Sequence, residues 1–483
     1  MLTGKSIMKY VLMNKDNPLL LFETVYSMGE INVREIERFS NIMPIGFTDI
    51  SLWIENRNYA KHKESLKTWL KQWGIDNTEG FIDITHCLGL NDTLWVKPYD
   101  SSLHWNEVSL YSNDFSDVME KTAFGNGLNG IEISSTDLTS PEFVSPGSFA
   151  KCWRREKDGI YLYKTKGTLG QGLEPYSEYF ASQIAEHMNI NSVKYELTMF
   201  NDHLCTKCKM FTSEKIGLIP FAGVFNISKK NYNISSIVEE CEQLGFGQKI
   251  REMYMLDSII LNQDRHLGNL GFLFDNDTFK ILDVSPIYDF NLSMLCHALP
   301  EDMSSIFSID KYLDTNQIGH KTSDSSFFDV AVNLEVPAPT DISFHQHEKY
   351  RLDEERFAKL QQYIQLNHER ILHNNKNLKR EYYCTSPSIV DCINELECHF
   401  DNDAVHITVT RDNLLNIAYF KNYIYMYGLG ENETIIISAH KNGHIDIVLK
   451  DSLGESDIGD EIIGDKQQLI KYATSILSTE KIS

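Results

Sequence analysis

The stretch from residue 253 to residue 295 allows few folds. MYMLDSIILNQ (253–263) has the apolar density of a buried helix. NQDRHLGNLGFLF (262–274) ends that density in a charged loop, which Gly268 and Gly271 are expected to loosen. GFLFD (271–275), DNDT (275–278) and FKILDV (279–284) then read as strand, turn and returning strand, followed by PIYDFNL (286–292). A hairpin of this length carries the chain back to the loop it left. Asn269, five positions after Asp264, is thereby expected to lie beside Asp289, which follows Asp264 by 25 residues.

Two carboxylates and one amide in that arrangement suit phosphoryl transfer. The reaction asks a protein for positioning and charge neutralisation more than for covalent steps. One carboxylate, Asp264, can orient and deprotonate a hydroxyl. Magnesium prefers hard oxygen ligands and keeps room for phosphates, so one amide and one carboxylate, Asn269 and Asp289, suit it. The same residues admit a plainer arrangement, in which DRH is a surface turn and Asp289 caps a helix starting at Asn291–Leu292. The strand pair between them favours the site.

The segment upstream supplies the rest of a nucleotide site in order. SPGSFAKCWRREKDGIYLYKTKG (145–167) reads as a two-stranded, phosphate-covering element with Ser145, Gly147 and Ser148 at its turn, although it has no GxGxxG. IYLYK (160–164) alternates as a strand does and ends at Lys164, a place that suits a contact to ATP phosphates. Such a lysine needs an acidic partner from a helix. EPYSEYFASQIAEHMNI (174–190) is that helix, with Pro175 in its first turn. Glu178 is the preferred partner, and Glu174 and Glu186 are its rivals. VKYELTMF (193–200) and TKCKMFTSE (206–214) read as paired strands leading to a hinge at Met210–Ser213. Backbone groups of Met210 and Thr212 could meet an adenine edge there, with Glu214 on the ribose or adenine side.

Composition sets the frame. The 483 residues allow two or three domains. A formal charge of −23 argues against a direct grip on nucleic-acid phosphates and leaves room for a basic partner. No apolar run is long enough for a membrane span. The N-terminus lacks the pattern of a secretory signal. With neither, the nine cysteines are expected as reduced thiols in a cytoplasmic protein. Cys205 and Cys208 form a single CxxC, and zinc would need two more ligands, so a hairpin is the better reading. Residues 1–130 read as a separate module in which Trp95, Trp105 and Tyr111 are core anchors and YAKHKESLKTWLKQWGI (59–75) is a helix. AFGNGLNGIEISSTDLTSPEF (123–143) reads as a linker or open loop. Residues 131–215 and 216–380 form the two halves of the nucleotide site, closed by the amphipathic helix DEERFAKLQQYIQLNHERIL (353–372). NNKNLKREYYCTSPS (374–388) reads as a linker. Residues 385–483 read as a small α+β accessory domain of three or four strands and a last helix, with KNGH (441–444) as a hairpin turn.

NQDRHLGNLGFL (262–273) and SPIYDFNLSML (285–295), with YLYK (161–164) and the 174–190 helix in order upstream, resemble the HipA-type kinases. LNDTLWVKP (90–98) resembles their N-terminal modules less specifically. The resemblance spans roughly 130–375 and leaves out 385–483. It implies an α+β, bilobal, protein-kinase-like core that uses ATP and Mg2+ to phosphorylate Ser or Thr of a protein. It implies Asp264 as catalytic base, Asn269 and Asp289 as metal ligands, and Lys164 as the nucleotide lysine. His266 stands where the family often has a residue that reacts or orients the loop. Ser145 or Ser148 is implied as a site of self-phosphorylation, and a small DNA-binding antitoxin as a partner. One departure is Asp289-Phe290-Asn291, which lacks the glycine of a DFG triplet. The alternatives are a pseudokinase that binds nucleotide or a partner, and a kinase-fold AMP transferase.

Overall fold

The computed structural model describes residues 7–27, 30–58, 77–116, 120–121, 124, 140–141, 144, 150–167, 171–225, 234–316, 342–377, 397–400, 404–410, 434–440, 445–451 and 454–457. The helix expected at 59–75, the turn at 145–149, nearly all of 123–143, the strand at 422–430, the KNGH turn and the helix at 465–477 lie outside them. The chain is a mixture of helices and sheets in two units, Met1–His297 with Asp341–Leu352, and Ala298–Thr340 with Asp353–Ser483.

The first unit begins with β1 (Ile7–Asn14), β2 (Asn17–Ser27) and β3 (Glu30–Arg38), an antiparallel meander. β4 (Leu94–Pro98) adds to the open edge of β1, so the order is β3-β2-β1-β4. Side chains alternate across this sheet. Tyr10, Leu12, Leu20 and Phe22 pack on one face against α1 (Ile50–Arg57) and α2 (Thr78–Thr85). Val11, Met13 and Leu21 pack on the other with Trp95, and with Trp105 of the short α3 (Trp105–Val108). Both faces are thus buried, and the tryptophans serve as the core anchors expected of them.

A second sheet has the order β5-β6-β8-β7, from β5 (Lys151–Glu156), β6 (Gly159–Thr165), β7 (Glu196–Phe200) and β8 (His203–Lys209). Between β6 and β7 runs α4 (Glu174–His187), with Pro175 in its first turn. Cys205 and Cys208 lie inside β8 as buried thiols. Burial pushes them up to about 11 and about 12, so they stay protonated and make poor metal ligands.

The chain continues through β9 (Ile216–Pro220), α5 (Phe221–Val224), α6 (Ile234–Gln243) and α7 (Gly247–Ile260) to the hairpin of β10 (Gly271–Asp275) and β11 (Ile281–Val284). The three strands pair as β11-β10-β9. The carboxylate of Asp275 ties the turn by accepting from the Thr278 hydroxyl at 2.8 Å and the Thr278 N–H at 2.7 Å. Gly271 does not loosen the loop as expected. A Cβ there would lie 2.4 Å from the Ile219 carbonyl, so glycine is what lets β10 approach β9.

In the second unit, α8 (Ile306–Thr315) precedes α9 (Glu354–Asn377). Phe357, Leu360, Tyr363, Ile364 and Ile371 of α9 are buried, the stripe read from the sequence. α9 runs to Asn377, so the first four residues of the expected linker at 374–388 are helical. β12 (Glu397–Phe400), β13 (Ala404–Thr410), β14 (Thr434–His440), β15 (Ile445–Asp451) and β16 (Gly454–Asp457) form one antiparallel sheet in chain order.

Candidate active site

Lys164 lies near the end of β6, directly across from Lys151 on β5 and Thr206 on β8. Its Nζ donates to Glu178 Oε1 at 2.6 Å and to Asp289 Oδ1 at 2.7 Å. Three distant parts of the chain therefore meet at one ammonium. Glu178 is buried on α4, and its second oxygen accepts from the Thr206 hydroxyl at 2.5 Å. The two rival glutamates are occupied elsewhere. Glu174 accepts from the Gly167 N–H at 3.2 Å, and Glu186 pairs with Lys194.

Charge explains the arrangement. Burial opposes the Lys164 ammonium, but Asp289 and Glu178 outweigh it and raise its pKa above the ordinary lysine value. Burial also acts against Asp289, yet Lys164, with Lys151 and Arg265 behind it, holds that carboxyl below its usual range. Glu178, deeper and beside the Asp289 charge, is pushed the other way. Asp289 is thus the firmly ionised carboxylate of the pair. Its backbone is left-handed, with φ +64°, and its N–H donates to the Tyr195 hydroxyl at 3.1 Å. Phe290 is buried edge-on against Tyr195, with ring centroids 6.1 Å apart. Asn291, in place of a DFG glycine, is buried too.

The loop from Asn262 to Asn269 is held from below. α7 does not deliver Asp264 at its end as expected. It stops at Ile260, and Leu261 takes a left-handed φ of +57°. The reason is Asp257, one turn back in the helix. Its Oδ2 accepts from Arg265 Nε at 2.8 Å, and its Oδ1 from Arg265 Nη2 at 3.1 Å and Asn262 Nδ2 at 2.8 Å. The chain must turn sharply after Ile260 for Asn262 and Arg265 to reach it. Arg265 Nη1 then donates to the carbonyls of Asn269 and, at 2.8 Å, Tyr288. One guanidinium so fixes the 262–269 loop and the segment leading to Asp289. Sequence reasoning passed over both residues of this pair. The available signal was a lone Asp inside an apolar helix, which burial allows only with a charged partner.

Within the loop, the Asp264 N–H donates to Asn262 Oδ1 at 2.9 Å, and Asn269 Nδ2 donates to the Asp264 carbonyl at 3.0 Å. The Asn269 Oδ1 acceptor stands outside that bond. Asp264 is more than a third exposed. His266 Nε2 is 3.9 Å from its carboxylate, too far for a hydrogen bond, while His266 Nδ1 accepts from the Gly268 N–H at 3.0 Å. His266 is placed to shape the loop. A Cβ at Gly268 would lie 2.7 Å from that imidazole, so a larger residue there would have to displace His266.

The hinge residues have structural partners. The Met210 N–H donates to the Ile160 carbonyl at 2.9 Å. The Thr212 hydroxyl donates to the Leu90 carbonyl at 2.5 Å. Glu214 Oε1 accepts from the Trp105 indole at 2.8 Å and the Ser109 hydroxyl at 3.1 Å. The Phe211 and Tyr288 rings lie 5.8 Å apart. Residues 90–109 therefore clasp the hinge, and Glu214 faces them. Ser145, Gly147 and Ser148 lie outside the described residues.

Among the described residues, no three His, Cys, Asp or Glu side chains gather to hold a metal. Magnesium would fit here only through hard oxygens supplied in part by phosphates. The Asn269 amide oxygen and the Asp289 carboxylate are such donors. No helix of the described residues is long and apolar enough to cross a membrane.

No family model matches the chain. The serine/threonine-protein kinase CtkA of Helicobacter pylori is 25% identical over 126 residues, which cover 24% of this chain and 38% of that protein. The chain thus spans less than two-fifths of the curated relative it matches. Among solved structures, the Helicobacter pylori proinflammatory kinase CtkA aligns with a TM-score of 0.36 and 15% identity, over 47% of this chain and 95% of that one. The Shewanella oneidensis toxin–antitoxin complex of HipA, HipB and operator DNA aligns with a TM-score of 0.43 and 11% identity, over 76% and 97%. In sequence, the chain is similar to a serine/threonine-protein kinase over that 126-residue stretch.

Proposed function

We propose that this chain is an ATP- and Mg2+-dependent protein kinase of HipA type that transfers the γ-phosphate to Ser or Thr of a protein. The observation that supports this most is the single ammonium of Lys164 held between Glu178 and Asp289. A lysine locked by a helical glutamate beside a metal-binding carboxylate is the constellation phosphoryl transfer requires. In this reading, Lys164 meets the nucleotide phosphates and Glu178 orients it. Asp264 accepts the proton of the attacking hydroxyl. Asn269 and Asp289 hold magnesium, which when bound offsets the charge of the phosphates. The sheet β5–β8 with α4 forms one lobe, and α6, α7 and β9–β11 belong to the other. The hinge at Met210–Thr212 receives the adenine.

The sequence resemblance extends the proposal to a toxin role restrained by a small DNA-binding partner, and to self-phosphorylation at Ser145 or Ser148. Incubation with γ-labelled ATP and magnesium tests the reading. Asp264→Ala should lower transfer to lysate proteins by about 10²–10⁴-fold, the size of a lost general base. Equal labelling by the wild type and the variant sinks it.

A further inference from the structure

Residues 342–352 lie as an irregular strap along α4, the helix that carries Glu178. The contacts recur at helical spacing. The Tyr176 hydroxyl donates to the Arg351 carbonyl at 3.1 Å. The Tyr179 ring lies 5.8 Å from that of His347, and the Phe180 ring 5.3 Å from that of Phe344. Gln183 clasps one strap residue at both backbone groups, accepting from the His345 N–H at 2.8 Å and donating to the His345 carbonyl at 3.1 Å. Ser343 closes the far end, 3.1 Å from His187 Nε2.

These α4 residues share one face. At ~100° per residue, Glu178 lies about 200° round the helix from Tyr176, on the opposite face. The strap therefore grips the back of the helix whose front meets Lys164. It is also built to keep its shape. Gln346 bridges to Leu352 by accepting its N–H at 2.8 Å and donating to its carbonyl at 2.9 Å. Ile342, Phe344 and Leu352 are buried. The strap goes with the first unit, although its neighbours in sequence, Ala298–Thr340 and Asp353–Ser483, belong to the second.

We infer that the strap is a positioning element for the site: by holding α4 from behind, chiefly through the Gln183–His345 clasp, it sets Glu178 against Lys164. Gln183 touches none of the reacting groups proposed above, so it acts through Glu178. The effect on transfer rate rests on the kinase reading, whereas the effect on Lys164 itself does not.

The full chain is exposed to a limiting amine-acylating reagent, and mass spectrometry follows modification of Lys164 relative to the exposed Lys280. Gln183 is half-buried and its bonds to His345 are exposed, so Gln183→Ala is expected to fold. It should speed Lys164 modification by about 3–10-fold, within the span of couplings between residues that share partners. Glu178→Gln should do the same, and adding Gln183→Ala to Glu178→Gln should change nothing further. Phe344→Leu, which keeps the apolar packing and alters only its shape, should fall between wild type and Gln183→Ala. An unchanged Lys164 rate in Gln183→Ala, or an effect that multiplies with that of Glu178→Gln, overturns the inference. In γ-labelled ATP assays the same non-additivity should appear in kcat. A wild type that transfers no phosphate would end the kinase reading and leave the Lys164 measurement to decide on the strap.

Discussion

Two ion pairs lie close together in this molecule and are built to different rules. Arg265 and Asp257 are both fully buried. Both Asp257 carboxylate oxygens accept hydrogen bonds, and Arg265 adds two backbone carbonyls. Lys164, by contrast, holds a buried Glu178 and an Asp289 that keeps 27% of its side-chain exposure. The closed pair shapes the loop, and the other leaves one carboxylate partly open to solvent. Burial with complete hydrogen bonding marks a scaffold, whereas charge left partly open marks the place where chemistry is proposed.

Substitutions can break this contrast from either side. Asp257→Ala strands a buried guanidinium and should cost about 3–5 kcal/mol of stability in denaturant unfolding. A loss under about 1 kcal/mol would mean the pair is not the scaffold described. Lys164→Met also removes a counter-charge, but Asp289 is partly open to water and Glu178 can take up a proton, so it should cost less stability than Asp257→Ala, while phosphate transfer falls about 10²-fold or more. The two variants should therefore exchange rank between the stability and activity measurements.

The pH dependence sharpens the same comparison. Asp289 is held below its ordinary value, so its contribution to stability is present above about 3.9, the unfolded value, and is lost as pH falls through the lower folded one. Lys164 is raised, so its contribution is present below about 10.4 and is lost as pH rises through the higher folded value. The stability advantage of wild type over Asp289→Asn should hold across neutral pH and shrink below about pH 4. A difference that stays constant down to pH 2 would contradict the ionised assignment. The smallest expected effect is at the hinge. Glu214→Gln keeps one acceptor for Trp105 and Ser109 and should cost about 1 kcal/mol, read as a small shift in unfolding and in Trp fluorescence.

The candidate site residues could be read from the sequence because their spacing is local. The strand–turn–strand at 271–284 follows from alternation and a DNDT turn, and it brings the 286–292 segment back to the loop. Lys164 at the end of an alternating strand and Glu178 in a helix with Pro175 in its first turn could be read for similar reasons. Residues whose roles depend on distant partners were not. Asp257 and Arg265 look ordinary until the loop folds back over the helix. Lys151 reaches the site only through strand register opposite Lys164. Glu214 reads as a nucleotide contact until Trp105, from 109 positions earlier, takes its carboxylate. The strap at 342–352 has no periodic pattern at all, because its partners supply the period.

The most direct test of the central claim compares ATP labelled at the α- and at the γ-phosphate, with wild type and Asp289→Asn. The account predicts that γ-label alone passes to protein from the wild type, and that Asp289→Asn transfers neither. Transfer of α-label, or of γ-label undiminished in Asp289→Asn, would contradict it.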